Sequence, residues 1–146
     1  MKAVTLHQPW ATFIVLGWKL WETRGWKTTY RGPLAIHASK NPAYLDIAPR
    51  LMDAAGYGAY VVPPLVLGAV VGVATLVDCR TTNSAIHALP LSEQALGDYR
   101  GGRYAWRLRD AVACRRPLPC RGQMGLWTPP ADLAAQLAAM YQRLTA

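Results

Sequence analysis

Apolar and polar positions follow each other in short blocks along the first forty residues, and turn-forming residues separate the blocks. Residues 3–6 and 33–38 show the pattern of half-buried strands, and residues 20–24 predict a further strand. After the first strand, residues 9–16 predict a helix, because a proline opens the segment and Gly17 follows its end. This part of the chain is therefore expected to supply three strands and one helix.

The middle of the chain holds its strongest predicted strand. Residues 68–77 are rich in β-branched side chains, which favour strands, and we expect this segment to lie near the centre of the sheet. Before it, an alanine-bearing apolar segment at about 43–55 predicts a helix. After it, residues 81–102 are polar and rich in turn residues, so they predict a mobile flap with one helical turn after Ser92.

The residue pattern in the last third of the chain predicts a β-hairpin followed by a helix. Residues 104–109 and 112–118 resemble two hairpin strands joined near Asp110. Residues 130–144 predict an amphipathic helix, because apolar side chains recur at the helical period at Leu133, Leu137, Met140, Tyr141 and Leu144. With some six mostly antiparallel strands among helices, the predicted class is α+β, a small barrel-like sheet flanked by two or three helices.

Length and composition narrow the class of protein. A chain of 146 residues favours one domain, predicted to span 1–146, and a hydrophobic fraction of 52% excludes general disorder. The three cysteines and three histidines lack the spacing of a disulfide framework or a zinc site. The longest apolar run, 65–77, is shorter than a membrane span, and we expect no secretory signal at the N-terminus. We expect a cytoplasmic protein without a metal or other cofactor.

The charge is unevenly distributed. The formal net charge is +8, and six Lys/Arg against one Glu in residues 1–40 give that segment +5. Residues 100–121 carry seven Arg against one Asp, or +6, while residues 41–99 are acidic. If the two basic segments face each other, they form one surface for nucleic acid or a phosphorylated ligand. The alternative is a solvated basic face without a specific partner.

Three motifs occur in order along the chain. His7-Gln8-Pro9-Trp10 is followed by the G-x-K-x-x-E-x-R element at 17–24 and by Arg31-Gly-Pro-Leu-Ala-Ile-His-Ala ending at residue 38. In these motifs, and in later pieces near Gly68, Trp106 and Trp127, the chain resembles the ASCH family of the PUA-like superfamily. The resemblance implies a PUA-like β-barrel and RNA-linked roles, such as RNA or translation regulation, in a cleft above the barrel.

The central motif brings charged side chains together. In an extended strand Glu22 and Arg24 share a face, and Lys19 lies at the preceding turn, where its side chain is expected to point into the same cleft. A carboxylate held by cations accepts hydrogen bonds from a base edge, and an arginine fork or a lysine holds a phosphate. The alternative is an ion pair that pins the strand to the sheet.

A wider set of residues is predicted to bind single-stranded RNA or a nucleotide-like ligand. Trp10 and Trp106 are candidate stacking platforms for unpaired bases, with core packing as the alternative for Trp106. His37, on an alternating strand, is expected to be a half-buried structural histidine. The predicted nucleic-acid-binding residues are Gln8, Trp10, Lys19, Arg24, Arg31, Lys40, Tyr104, Trp106 and Arg107.

Catalysis is the open alternative, with Lys19, Glu22 and Arg24 as candidate catalytic residues. Some ASCH-like proteins are N4-acetylcytidine amidohydrolases that use a Lys, a Thr and a Glu, and the resemblance aligns Lys19 with that Lys. Glu22 stands at the position of the Thr, and Glu93 is a loose counterpart of the Glu. A metal-independent ribonuclease is the second enzymatic hypothesis, since cations near a 2′-hydroxyl stabilise the developing charge.

Overall fold

The computed structural model describes residues 1–58 and 62–145, with side chains through residue 143. Its centre is a curled six-stranded sheet of half-barrel form. The strands are β1 (Lys2–Leu6), β2 (Trp21–Arg24), β3 (Gly32–Ala38), β4 (Ala69–Thr81), β5 (Tyr104–Pro119) and β6 (Leu126–Trp127). Their order in the sheet is β2-β5-β4-β3-β1-β6, and β1 and β3 form a parallel pair among otherwise antiparallel neighbours.

The helices of the described residues surround this sheet. They are α1 (Trp10–Val15), α2 (Ala48–Ala54), α3 (Thr82–Ala85), α4 (Leu91–Ala95) and α5 (Ala131–Thr145). A 3-10 turn, Leu45–Ile47, leads into α2, so the predicted helix at 43–55 is present in a shorter form. The α+β class is confirmed, with five α-helices in the described residues where two or three were expected.

The predicted hairpin after residue 103 is wrong. Residues 104–119 form one long strand, β5, which pairs with β4 along most of its length. Asp110 adopts a left-handed φ of 52°, and the register moves from Thr75 opposite Arg109 to Val73 opposite Val112. One extra residue on β5 therefore forms a bulge, which bends the strand without reversing it. Asp tolerates this conformation in bulges as well as in turns, so the sequence signal was ambiguous.

The predicted flap is a docked connection. Residues 82–95 hold α3, a 3-10 turn and α4, and Ser92 lies inside α4, which begins at Leu91. The Glu93 carboxylate accepts hydrogen bonds from the backbone N–H groups of Leu20 and Trp21, each at 3.0 Å. Thr82 Oγ1 donates to the Arg100 carbonyl at 2.8 Å. These long-range bonds tie the connection to β2 and to the loop that precedes β5.

The two faces of the sheet bury different side chains because strand side chains alternate. Val4 and Leu6 of β1 pack on the face covered by α1, together with Leu34, Ile36 and Trp106. Ala3 packs on the opposite face, which α5 covers with Leu133 and Leu137, flanked by Met140 and Tyr141. The predicted apolar face of the last helix is thus confirmed for these four residues, while the side chain of Leu144 lies outside the described residues.

Candidate functional site

A cleft of about 950 Å³ opens at one end of the sheet. We call it the main cleft. The carboxyl ends of β1 and β3 contribute Thr5 and His37 to it, and Lys40, Trp26, the end of β5 and the following segment 120–125 complete its lining. The parallel pairing of β1 and β3 places their ends side by side.

Positive charge dominates the main cleft. Arg24, Lys40 and Arg121 line it, and none of its described lining residues is a carboxylate. The Arg24 guanidinium lies 5.7 Å from the ring centroid of Trp26, and Nη1 donates a long hydrogen bond of 3.5 Å to the Thr5 carbonyl. Among the described residues no acid pairs with Arg24 within 4.0 Å. Its remaining donors are therefore available to an anion.

His37 is a neutral polar group in the lining of this cleft. It is 1% exposed, and its Nε2 lies 2.8 Å from the Cys120 carbonyl, which only accepts, so Nε2 carries the proton. Burial lowers the pKa of His37, while this hydrogen bond acts in the opposite direction. Nδ1 has no hydrogen-bond partner among the described residues. The expected structural role fits this burial and this bond.

A smaller hollow of about 410 Å³ adjoins the main cleft, and His7 and Arg24 line both. Trp10 and Tyr44 form its aromatic wall, with ring centroids 5.2 Å apart in an edge-to-face arrangement. Glu22 lines the same hollow, so the structure places Glu22 and Arg24 of β2 at one hollow, as strand geometry predicted. The two hollows share His7 and Arg24 and differ in charge: the main cleft is basic, and the smaller hollow carries both acidic and basic side chains.

Lys19 does not line either hollow. It is 1% exposed, and its Nζ donates to the Trp21 carbonyl and lies 3.6 Å from Glu22 Oε1. The expectation that Lys19 points freely into the cleft is wrong, because these two oxygen groups draw the side chain back beneath β2. Glu93 is its second acidic neighbour: burial raises the pKa of Glu93, and the charge of Lys19 opposes that rise.

Two predicted binding residues belong to the core. Trp106 is 0% exposed and packs edge-to-face against Trp26 at 4.8 Å, with its Nε1 donating to the Trp26 carbonyl at 3.4 Å. Gln8 is also 0% exposed; its amide accepts from the Thr12 N–H and donates to the Val66 carbonyl. Neither side chain is accessible for a ligand, so both predictions are corrected: Trp106 follows the packing alternative, and Gln8 fastens α1.

Three further predicted binding residues, Arg31, Tyr104 and Arg107, do not line the main cleft. Arg31 and Tyr104 line a third hollow of about 690 Å³, and Arg31 is 4.0 Å from Asp78. Arg107 lies over the Trp21 ring at 5.6 Å and donates to the Leu20 carbonyl at 3.2 Å. Of the predicted set, the structure brings Trp10, Arg24 and Lys40 to the two joined hollows, with Glu22 beside them.

Sequence reasoning did not select several residues of the joined hollows. Trp26, His7, Tyr44 and Arg121 line them, although none was a candidate. Arg121 lies at the end of the basic segment 100–121, so the charge count contained its signal. Nothing in the sequence separates Trp26 from its neighbours Trp18 and Trp21, since only the packing shows which ring lies beside Arg24.

No group of three or more His, Cys, Asp or Glu side chains among the described residues is arranged to hold a metal ion. No helix in the same part of the chain has the length and apolarity needed to cross a membrane.

Comparison with known proteins supports the resemblance. The ASCH protein from Zymomonas mobilis has a similar structure, with a TM-score of 0.61 and 17% identity over 95% of this chain and 94% of that one. A Tyr-to-Phe variant of that protein matches with a TM-score of 0.60 and 17% identity, over 95% of this chain and 96% of that one. A Ser-to-Ala variant matches with a TM-score of 0.59 and 18% identity, over 95% of this chain and 94% of that one. At such identity the likeness shows the fold alone. No curated protein matches in sequence with significance.

The family assignment rests on the sequence itself. The model of the ASCH domain matches residues 4–112, which is more than half of the chain and includes all three motifs described above. The matched region holds the end of β1, all of β2, β3 and β4, the first part of β5 and most of the residues that line the joined hollows. The chain belongs to the ASCH domain family.

Proposed function

We propose that this ASCH domain binds single-stranded RNA, or a nucleotide-like ligand, in the main cleft and the smaller hollow. The observation that carries the proposal is the charge of the main cleft: Arg24, Lys40 and Arg121 line it, and its described lining holds no carboxylate. Family membership supports an RNA-linked role. The phosphate backbone supplies most of the attraction between RNA and such a surface.

The shape of the site supports an unpaired strand. Sequence-specific RNA recognition mostly involves unstacked bases held against aromatic rings or arginine planes. Trp10 and Tyr44 offer such rings in the smaller hollow, and Tyr44 is 42% exposed. The main cleft, with a volume of about 950 Å³, has room for a nucleotide and its phosphates.

A salt titration with single-variant controls tests this proposal. Fluorescence anisotropy with a labelled single-stranded RNA is expected to give an affinity that falls with salt, with a slope of about −0.7 per phosphate contacted. Arg24→Ala, Lys40→Ala and Arg121→Ala should each weaken binding and make the slope shallower by about that amount. Arg143→Ala removes the same charge from α5, which lines neither hollow, and should change little. Absence of binding at low salt would reject the proposal.

A hydrolase is the second candidate, and the buried charge cluster favours it. Lys19 lies within 3.6 Å of Glu22, Glu22 borders the smaller hollow, and Glu93 is 6% exposed with its pKa raised by burial. A buried carboxyl group with a raised pKa near a lysine, as at Glu93, is typical of acid–base sites. For the catalytic candidate, we propose that Glu22, held by the buried Lys19, acts on a ligand in the smaller hollow, as in an N4-acetylcytidine amidohydrolase or a ribonuclease.

Turnover decides between the two candidates. Wild-type protein is assayed with N4-acetylcytidine and with a labelled RNA, without added metal. Catalysis predicts wild-type turnover that Glu22→Gln abolishes while RNA affinity remains within a few-fold. The melting temperature of Glu22→Gln shows whether the variant is folded. Turnover absent from the wild type on both substrates would reject the two named enzymes and leave the binding proposal intact.

A further inference from the structure

We propose that the main cleft and the smaller hollow are two adjoining nucleotide subsites, with Arg24 holding the phosphate that links them. The smallest full ligand would then be a dinucleotide step. This inference rests on the proposed function and deepens it. Its first support is the geometry: His7 and Arg24 are the residues that line both hollows, so the boundary between them is marked by a cation.

Arg24 is held at this boundary and keeps donors to spare. Trp26 lies beneath its guanidinium at 5.7 Å, and Trp106, which is 0% exposed, packs against Trp26 at 4.8 Å. The Arg24 side chain therefore lies on a ring that the core immobilises. Its one hydrogen bond to protein among the described residues, to the Thr5 carbonyl, uses Nη1 at 3.5 Å. The other guanidinium donors are free for a phosphodiester.

The two hollows differ in a way that separates phosphate from base. Lys40 and Arg121 line the main cleft and favour further phosphates there. The smaller hollow is mixed in charge: it carries the carboxylates of Glu22 and Asp98 beside Arg103, which lies 3.5 Å from Asp98, so it attracts a phosphate less than the main cleft does. An aromatic wall and carboxylate oxygens suit a base, which stacks on the ring and donates hydrogen bonds from its edge.

Glu22 has an oxygen available for such a donor. Its Oε1 accepts from the Thr23 N–H at 2.9 Å and lies 3.6 Å from Lys19 Nζ. No described residue donates a hydrogen bond to Oε2. This oxygen is not buried, so it is accessible from solvent. The buried ammonium of Lys19 holds the carboxylate in place, so Glu22 is a positioned acceptor at the base subsite.

Calorimetry or competition anisotropy with short probes tests the inference. Cytidine 5′-monophosphate, the dinucleotide pCpC and an eight-residue oligocytidylate are compared on the same protein. The dinucleotide should bind at least about tenfold more tightly than the mononucleotide, because linking two subsites makes the second contact intramolecular. Arg24→Gln should reduce that advantage to less than about threefold, whereas Arg143→Ala should preserve it. Melting temperatures confirm that both variants are folded.

A variant of the base subsite gives an independent measurement. Trp10→Ala should bring the dinucleotide close to the mononucleotide affinity while mononucleotide binding in the main cleft persists. Equal affinities of wild-type protein for the two short probes, with the oligomer still bound, would overturn the two-subsite inference and leave the proposed function standing. Retention of the full dinucleotide advantage in Arg24→Gln would also overturn it. Failure of all three probes to bind at low salt would reject the proposed function itself.

Discussion

Lys19 Nζ lies 3.6 Å from Glu22 Oε1, and the lysine side chain is fully shielded from solvent while that of Glu22 remains 10% exposed. The pair therefore joins a buried cation to a carboxylate at the edge of the smaller hollow. Removal of one partner leaves the other charge poorly solvated and unpaired, which destabilises a protein more than the pair itself stabilises it. The stability of β2 and the position of Glu22 depend on the same contact.

Lys19→Met is expected to lower the free energy of unfolding by about 3–5 kcal/mol, the range found for breaking buried ion pairs. Urea denaturation measures this change. Lys27→Met, at an exposed position of the following loop, removes the same charge and should change stability by less than about 0.5 kcal/mol. Equal losses in the two variants would contradict the buried pair.

The two tryptophans first considered as stacking platforms should behave differently. Trp106→Ala leaves a cavity beneath Trp26 and should cost about 3–5 kcal/mol of unfolding free energy. Trp10→Ala, at a half-buried position, should weaken single-stranded RNA binding by about 1–3 kcal/mol. Denaturation and anisotropy on both variants separate the effects. A Trp10→Ala variant with wild-type RNA affinity would remove Trp10 from the site.

Gly72→Ala is expected to destabilise the sheet strongly. A Cβ at residue 72 would stand 2.3 Å from the Val112 carbonyl oxygen and 2.5 Å from Val15 Cγ1, so both β5 and α1 would have to move. Overpacking of this kind costs about 1–3 kcal/mol or more. Gly101→Ala is the matched control, because its nearest contact would be 3.5 Å away at Asn83 Oδ1. Thermal melting of the two variants compares them directly.

His37 should make stability depend on pH. Burial lowers its pKa below the ordinary 6.5, so the unfolded chain takes up a proton that the folded protein resists. The contribution of neutral His37 to the free energy of unfolding is complete above pH 6.5. It is lost as the pH falls from 6.5 through the lowered pKa of His37 in the folded protein. Glu93, with its pKa raised above 4.5, makes stability depend on pH in the opposite direction. Its contribution to the free energy of unfolding is lost as the pH rises from 4.5 through the raised pKa of Glu93 in the folded protein.

The difference between wild type and His37→Gln isolates the histidine. Unfolding free energies measured by urea on both sides of pH 6.5 should show that the wild type loses stability relative to the variant as the pH falls. His87→Gln, in the 3-10 turn after α3, is the control for a histidine away from both hollows. A constant difference across the range would show that His37 titrates alike in both states.

The sequence by itself determined the α+β class, the ASCH family and most strand positions, because these follow from local alternation, β-branched content and motif order. Residues 3–6, 33–38 and 68–77 needed no tertiary information. The placement of Glu22 and Arg24 on the same side of β2 also followed from strand geometry.

Only the tertiary structure decided which candidate residues meet at the site. The burial of Lys19 and Trp106 depends on contacts with Glu93, Trp26 and other distant residues, and no local pattern encodes them. The bulge at Asp110 replaced a predicted turn because β4 supplies a partner on both sides of Asp110 along β5. Long-range pairing and packing outweigh local preference at such positions, and they placed Arg24 on Trp26 between the two hollows.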